Sequence, residues 1–208
     1  MIYINDRLEQ IDLEAAMSRL SAQRREQALR FRFELGRRQS VAAYLLLRTA
    51  LEQEYGITEP PLFEYGEHGK PYLAPLSSPQ LGGRPEGAAT PPPVGGGWEG
   101  APFFNLSHCR EAVACVLSTQ PVGIDIESIR PIKESLVRYT MNDAEQELIF
   151  SAPNPDVAFT RLWTRKEAVM KLSGHGLVND MKSVLANCSA HLLTVARPER
   201  GYVWSVAY

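Results

Sequence analysis

Gly123-Ile124-Asp125-Ile126-Glu127 is the stretch on which the fold reading turns. Successive residues of a strand face opposite sides, so Asp125 and Glu127 share one face while Ile124 and Ile126 share the other. The apolar side marks a strand from Val122 to Glu127 as interior. Forty residues further on stands Trp163-Thr164-Arg165-Lys166-Glu167-Ala168-Val169-Met170-Lys171. Helical spacing sets Trp163, Glu167 and Lys171 on one stripe, four residues apart each time. Brought together, strand and helix offer three carboxylates to a hard divalent cation, with a lysine beside them. That combination suits phosphate chemistry.

Working outward, Met1 to Ile4 reads as a strand. Asp12 is placed to cap a helix through Leu13, Met17 and Leu20, and Ser21 to cap a basic segment, Gln23 to Arg32. Gly36 is expected to interrupt. Arg38 to Tyr55 then reads as a strong amphipathic helix on Val41, Tyr44, Leu45, Leu47 and Leu51, stopped by Gly56. Leu62 to Tyr65 is strand-like and leads to Gly69-Lys70-Pro71-Tyr72-Leu73. Half the residues from Pro75 to Pro102 are Pro or Gly, which predicts a surface loop or insertion without a core element. Phe103 to Leu106 is a short strand leading into Ser107-His108, and Val113 to Leu117 is another. Asn142 to Phe150 reads as a short helix. Asp156 is expected to cap the long helix through Leu172, which ends at Gly174 and Gly176. Leu192 to Ala196 and Tyr202 to Tyr208 close the chain as strands. The pattern is mixed α+β with hairpins, not a regular βαβ array.

Bulk properties narrow the function. With 208 residues and a formal net charge of -2, and a pI of about 6.1, the chain does not look like a nucleic-acid binder that relies on overall positive charge. The apolar run Val41 to Leu47 is too short to span a bilayer, and the first residues lack the basic and apolar regions of a signal peptide. Cys109, Cys115 and Cys188 form no C-x-x-C pair, so reduced thiols and a cytoplasmic location are expected, with no zinc site.

Each candidate residue also has a plain reading. Asp125 and Glu127 lie ~7 Å apart along the strand, close enough to reach one cation, but taken alone they read first as a solvated strand face. Glu167 and Lys171 match a common helix salt bridge worth only ~0.3–0.5 kcal/mol. Trp163 is expected in the core, packing the helix against the sheet. Ser107 and His108 are adjacent on an extended chain and point apart, which rules out a triad geometry but suits phosphate donors. A turn residue with an ordinary surface imidazole is the alternative there. Lys70 is either a ligand contact or simply exposed. Arg24, Arg25, Arg30, Arg32, Arg37 and Arg38 form either a solvated basic face or an anion patch.

In order, Gly69-Lys70-Pro71, Phe104-Asn105-Leu106-Ser107-His108, the Gly123 to Glu127 stretch and the Trp163 to Lys171 stretch resemble the motifs of 4'-phosphopantetheinyl transferases. The likeness is to the larger, Sfp-type group and runs from about Ser21 to Leu177. The resemblance implies two similar α+β halves in one chain (residues 1–118 and 119–208), related by a pseudo-twofold, with coenzyme A in the cleft between them. It implies Mg²⁺ on Asp125, Glu127 and Glu167, with Glu167 as general base and Lys171 on the transferred phosphate. It implies coenzyme A contacts from Ser107, His108 and Lys70, and contacts from Arg24 and Ser40 near the 3'-phosphate. Glu145 matches a further acidic position, although its spacing from Asn142 is also that of a helix cap. Two departures stand out: the Pro/Gly-rich insertion, and Gln27 where the family often has a basic residue. The implied activity is transfer of the phosphopantetheine arm of coenzyme A to a carrier-protein serine, by a monomer needing neither nucleic acid nor membrane. The alternatives are a metal-dependent nuclease, disfavoured by the acidic pI and the Gly-Lys-Pro and Ser-His pieces, and a non-catalytic coenzyme A or carrier-binding module. A complete set of three acids speaks against the second.

Overall fold

The computed structural model of the chain describes residues 1–66, 69–74, 101–174 and 180–208. In chain order the elements are β1 (Ile2–Asn5), α1 (Leu13–Ser18), α2 (Ala22–Leu29), α3 (Glu34–Tyr55), β2 (Phe63–Tyr65), β3 (Pro71–Leu73), β4 (Phe103–His108), β5 (Val113–Ser118), β6 (Gly123–Ser128), α4 (Glu134–Thr140), α5 (Asp143–Phe150), α6 (Pro155–Ser173), β7 (Leu192–Arg197) and β8 (Tyr202–Ala207). Most of the Pro/Gly-rich stretch, residues 75–100, lies outside the described residues, as do Gly176 and Leu177.

Among the described residues all strand pairs are antiparallel, in keeping with the α+β reading. Two three-stranded sheets have the orders β1-β5-β4 and β6-β8-β7, and β2 and β3 form a separate hairpin. In each larger sheet the last strand lies between the first two, and the longest helix, α3 or α6, comes after the first strand.

Alternation along β5 explains how the layers stack. Ala114 and Val116 face a shared core with Ile124 and Ile126 of β6 and Trp204 and Val206 of β8. Cys115 and Leu117 face the other way, onto Val41, Tyr44, Leu47 and Leu51 of α3. The β2–β3 hairpin joins this second core through Phe63 and Leu73, with Phe63 stacked on Phe104 at 5.5 Å between ring centroids. Burying each such side chain contributes about 1.5–3 kcal/mol, so the two cores fix β5, and with it β4, between α3 and the second sheet.

Asp12 and Ser21 cap α1 and α2 as expected, accepting from Ala15 N and Arg24 N. Both helices stop short of the expected ends: Leu20 lies beyond α1 and α2 finishes at Leu29. Gly36 does not interrupt. α3 begins at Glu34 and runs through it, because a Cβ there would come within 2.8 Å of the Phe31 ring and glycine lets that ring pack on the helix. Gly56 stops α3 in the left-handed region, with φ of 67°, as the sequence indicated. At α6 the cap is Asn154, which accepts from Val157 N, with Pro155 at the first helical position. Asp156 instead accepts from Ile132 N at 3.0 Å, tying the chain before α4 to the start of α6. α4 was not foreseen. Its seven residues bury only Val137 and Thr140, too few for a periodic signal.

Candidate functional site

The site grows from the seam between the two sheets. β6 pairs by its backbone with β8 and lies beside β4 without a backbone ladder between them. Side chains bridge that gap. Asn105 Oδ1 accepts from Ile124 N at 2.9 Å, and Ser107 Oγ accepts from Ile126 N at 3.2 Å. Two β4 residues of like orientation thus satisfy two successive inward N–H groups of β6. On its other flank β6 meets α6 at Gly123, where a Cβ would fall 2.1 Å from Ala168 O and 2.5 Å from Leu172 N. Only glycine allows so close an approach of strand to helix backbone.

This packing sets the acids. Asp125 is buried, 3% exposed. Its Oδ1 accepts from Lys171 Nζ at 2.7 Å and from Ser107 Oγ at 2.9 Å, and Lys171 Nζ also donates to Ser107 Oγ at 2.9 Å. Strand, helix and the neighbouring sheet therefore meet in one closed triangle. Lys171 pairs across to Asp125, so the helix-surface reading, a pair with Glu167 alone, does not describe it. Lys70, from the hairpin, donates to the Lys171 carbonyl at 2.7 Å, which places a positive charge at the C-terminal end of α6, favourable to the helix dipole.

The other two acids feel this centre. Burial, and then the charge of Asp125, push the Glu127 carboxyl up to about 7, with Lys171 opposing. Glu167 is raised for the same two reasons in the same order. The three carboxylates are thus close enough to repel one another, and one lysine incompletely offsets them. His108 ends β4 as a residue more open to solvent than the buried Ser107, the alternation the sequence demanded, with its imidazole still partly desolvated. Desolvation first, then the Lys171 ammonium, lower its imidazole pKa.

Whether a divalent cation suits these donors is tested by Asp125 Oδ2, which is buried without a hydrogen-bond partner. A buried carboxylate oxygen left unpaired is costly, and a hard cation with oxygen ligands is the chemistry that satisfies it. Among the described residues, no three His, Cys, Asp or Glu side chains stand closed as a finished metal cage. Lys171 provides the positive charge in contact with Asp125. By donor type and charge the residues fit a hard cation.

Arg24 and Ser40 come together beside the rings of Tyr44 and Phe63. The Arg24 guanidinium lies 5.5 Å from the Tyr44 ring centroid and 5.4 Å from that of Phe63. It donates to Gln27 Oε1 at 2.6 Å and to Ser40 O and Oγ at 3.4 Å each, while its Nε is buried without a partner. Burial lowers its pKa. Gln27, the expected departure, is thus the residue that holds Arg24. The rest of the arginine run is partly structural: Arg30 pairs with Glu26, and Arg38 pairs with Glu34 and donates to the Leu8 and Ile11 carbonyls.

Glu145 does not face the acids. It closes a capping box with Asn142 and accepts from Lys166 Nζ at 2.8 Å. Lys166, fully buried, also donates to Met181 O. Trp163 does not pack α6 against the sheet. It stacks on Phe159 at 5.8 Å in a cluster with Val137, Met141 and Ile149. The sheet contact falls instead to Thr164, whose hydroxyl is 2.7 Å from that of Ser205 on β8, and to Ala168. Trp163 and Glu127 both line a cavity of about 440 Å³, together with Ile132, Leu136 and Phe159. The reading of the sequence missed Asn105 and Lys166. The signal for Asn105 was its two-residue spacing from Ser107 on a strand; for Lys166, nothing distinguishes it from the exposed lysines of a helix.

Residues 121–204 match the profile of the 4'-phosphopantetheinyl transferase superfamily, which spans β6, α6 and β8. A 4'-phosphopantetheinyl transferase psf-1 from Bacillus pumilus is 29% identical over 189 residues, covering 89% of this chain and 71% of that protein. The transferase Sfp of Bacillus subtilis is 26% identical over 179 residues, covering 85% and 70%. The transferase HetI of a Nostoc strain is 30% identical over 171 residues, covering 79% and 64%. A sheet seam carrying acids from one strand, an acid and a lysine from one helix, and a Ser-His pair offers charges suited to phosphate chemistry. The chain is similar to proteins of the 4'-phosphopantetheinyl transferase superfamily, and its similarity to the Sfp-type members runs through most of its length.

Proposed function

We propose that the chain transfers the 4'-phosphopantetheine arm of coenzyme A to a serine of an acyl or peptidyl carrier protein, releasing 3',5'-ADP. The observation that carries this reading is the closed triangle of Asp125, Ser107 and Lys171, with an unpartnered Asp125 oxygen and two further carboxylates of raised pKa around it. We take the two sheets as two halves, residues 1–118 and 119–208, whose repeated strand order supports a pseudo-twofold relation, with the ligand at the seam.

The serine oxygen attacks the β-phosphorus, the bond to the 3',5'-ADP oxygen breaks, and the serine proton must leave. Glu167, half-buried on the helix that also carries Lys171, is the base that takes it. Lys171 is within reach of the centre from the same helix face and takes up charge as it gathers on the leaving oxygens. His108 and Lys70 flank the same seam and bind phosphate oxygens, and Arg24 with Ser40 takes the remaining phosphate of the nucleotide. Asp125, Glu127 and Glu167 would hold Mg²⁺, which would supply charge to neutralise the diphosphate. Positioning and charge neutralisation dominate such transfers.

The test is the intact mass of an apo carrier protein incubated with coenzyme A, Mg²⁺ and this chain. A gain of one phosphopantetheine arm supports the reading. An unchanged carrier, with coenzyme A bound by the chain, would instead indicate a binding module. The carrier class follows from which apo carriers gain mass.

A further inference from the structure

We propose that Asn105 is a positioning residue for the acidic site, holding β6 at the distance and register from β4 that brings Asp125 onto Ser107 and Lys171.

β6 is restrained on three sides. β8 holds one backbone edge through a six-residue antiparallel register, Gly123 to Ser128 against Ala207 to Tyr202. α6 presses on its start at Gly123. On the remaining edge, the N–H groups of Ile124 and Ile126 bracket Asp125, and each is taken by a side chain of β4, Asn105 and Ser107. Ser107 is already committed to Asp125 and Lys171. Asn105 makes no such bond to the acids. Its role at this edge is to fix the backbone of the residue before Asp125.

The physical reason is separation. A backbone ladder would draw two strands to about 4.8 Å. A side-chain amide between them keeps the seam wider and admits the Ser107 hydroxyl and the Asp125 carboxylate into the same gap. Asn105 is itself buried, 8% exposed, so removing its oxygen leaves the Ile124 N–H without a partner in a place water does not reach easily. β6 would then relax toward or away from β4, and Asp125 would move with it. Displacement of a reacting group by about 1 Å costs on the order of a hundredfold in rate.

This inference rests on the proposed transferase reading, and its test separates the two. Asn105→Leu keeps the size of the side chain and removes the acceptor; Asn105→Asp keeps an oxygen at Oδ1. Amide hydrogen exchange at Ile124 and Ile126 is measured in each folded variant, beside kcat and KM for coenzyme A and for an apo carrier. Asn105→Leu is expected to speed exchange at Ile124 and to lower kcat on the order of tenfold to a hundredfold, leaving the carrier KM within about twofold. Asn105→Asp is expected to restore slow exchange at Ile124 and most of kcat. Fast Ile124 exchange with unchanged kcat in Asn105→Leu overturns the proposal. If that variant does not fold, a folded Asn105→Asp with slow Ile124 exchange but a leucine-scale loss of kcat overturns it equally. If wild type transfers nothing, the exchange data still decide whether Asn105 sets the seam, and the transferase reading alone fails.

Discussion

Replacing Gly123 by alanine tests how the strand and helix are brought together. The added methyl would sit 2.1 Å from Ala168 O and 2.5 Å from Leu172 N. Both are backbone atoms of α6, so no side-chain rotation relieves the clash. Restoring an ordinary carbon-to-oxygen contact requires α6 to retreat by roughly 1 Å from β6. Glu167 and Lys171 ride on that helix, and the 2.7 Å bond from Lys171 to Asp125 would stretch beyond hydrogen-bonding range. The stability cost of such overpacking is about 1–3 kcal/mol, and the rate cost of moving the base and the lysine is on the order of a hundredfold. Thermal unfolding measures the first and single-turnover loading of an apo carrier the second. A Gly123→Ala protein with wild-type melting temperature and wild-type loading rate would refute the close-approach argument, because the methyl would then have found space that the backbone geometry denies it.

Asp125→Asn removes the charge that faces Lys171 and an oxygen suited to a cation, and is expected to lower carrier loading by more than about a hundredfold while circular dichroism stays native. Lys166→Met leaves Glu145 buried and unpaired and should destabilise the fold by about 3–5 kcal/mol; adding Glu145→Gln should recover part of that, read by chemical denaturation. The pH dependence of stability follows from Glu127. Its folded pKa of about 7 exceeds the ordinary 4.5, so its contribution to stability is fully present below about 4.5 and is lost as pH rises through about 7. The metal-free protein should therefore lose melting temperature across that window relative to Glu127→Gln, and Mg²⁺, which favours the ionised form, should reduce the difference.

The parts of the fold written in local pattern were legible from the chain alone. The β6 alternation, the α3 stripe with its Gly56 stop, and the Asp12, Ser21 and Asn142 caps each follow from short-range physics, and each was found where the sequence put it. The acids were legible as types and spacings, and the Glu145 capping role was one of its two readings. What was not legible depends on contacts between distant segments. Trp163 faces α4 and α5 rather than the sheet because α4, too short to leave a periodic trace, supplies its neighbours. Asp156 serves Ile132, not its own helix, and Asn154 takes the cap. The partner of Lys171 is Asp125 rather than its helical neighbour Glu167, since only the folded seam brings the strand within reach. Asn105 gave no signal apart from a strand position, because its importance lies in a backbone N–H nineteen residues away.

The central claim is that Asp125, Glu127 and Glu167 act on one cation beside a diphosphate. A crystal structure of the chain with coenzyme A and Mn²⁺, read by anomalous scattering, tests it most directly. The account predicts a single manganese peak bonded to carboxylate oxygens of Asp125 and of at least one of the two glutamates, and to diphosphate oxygens, with Lys171 shifted onto phosphate. Manganese bound elsewhere, or coenzyme A seated with its diphosphate away from the β4–β6 seam, would contradict it.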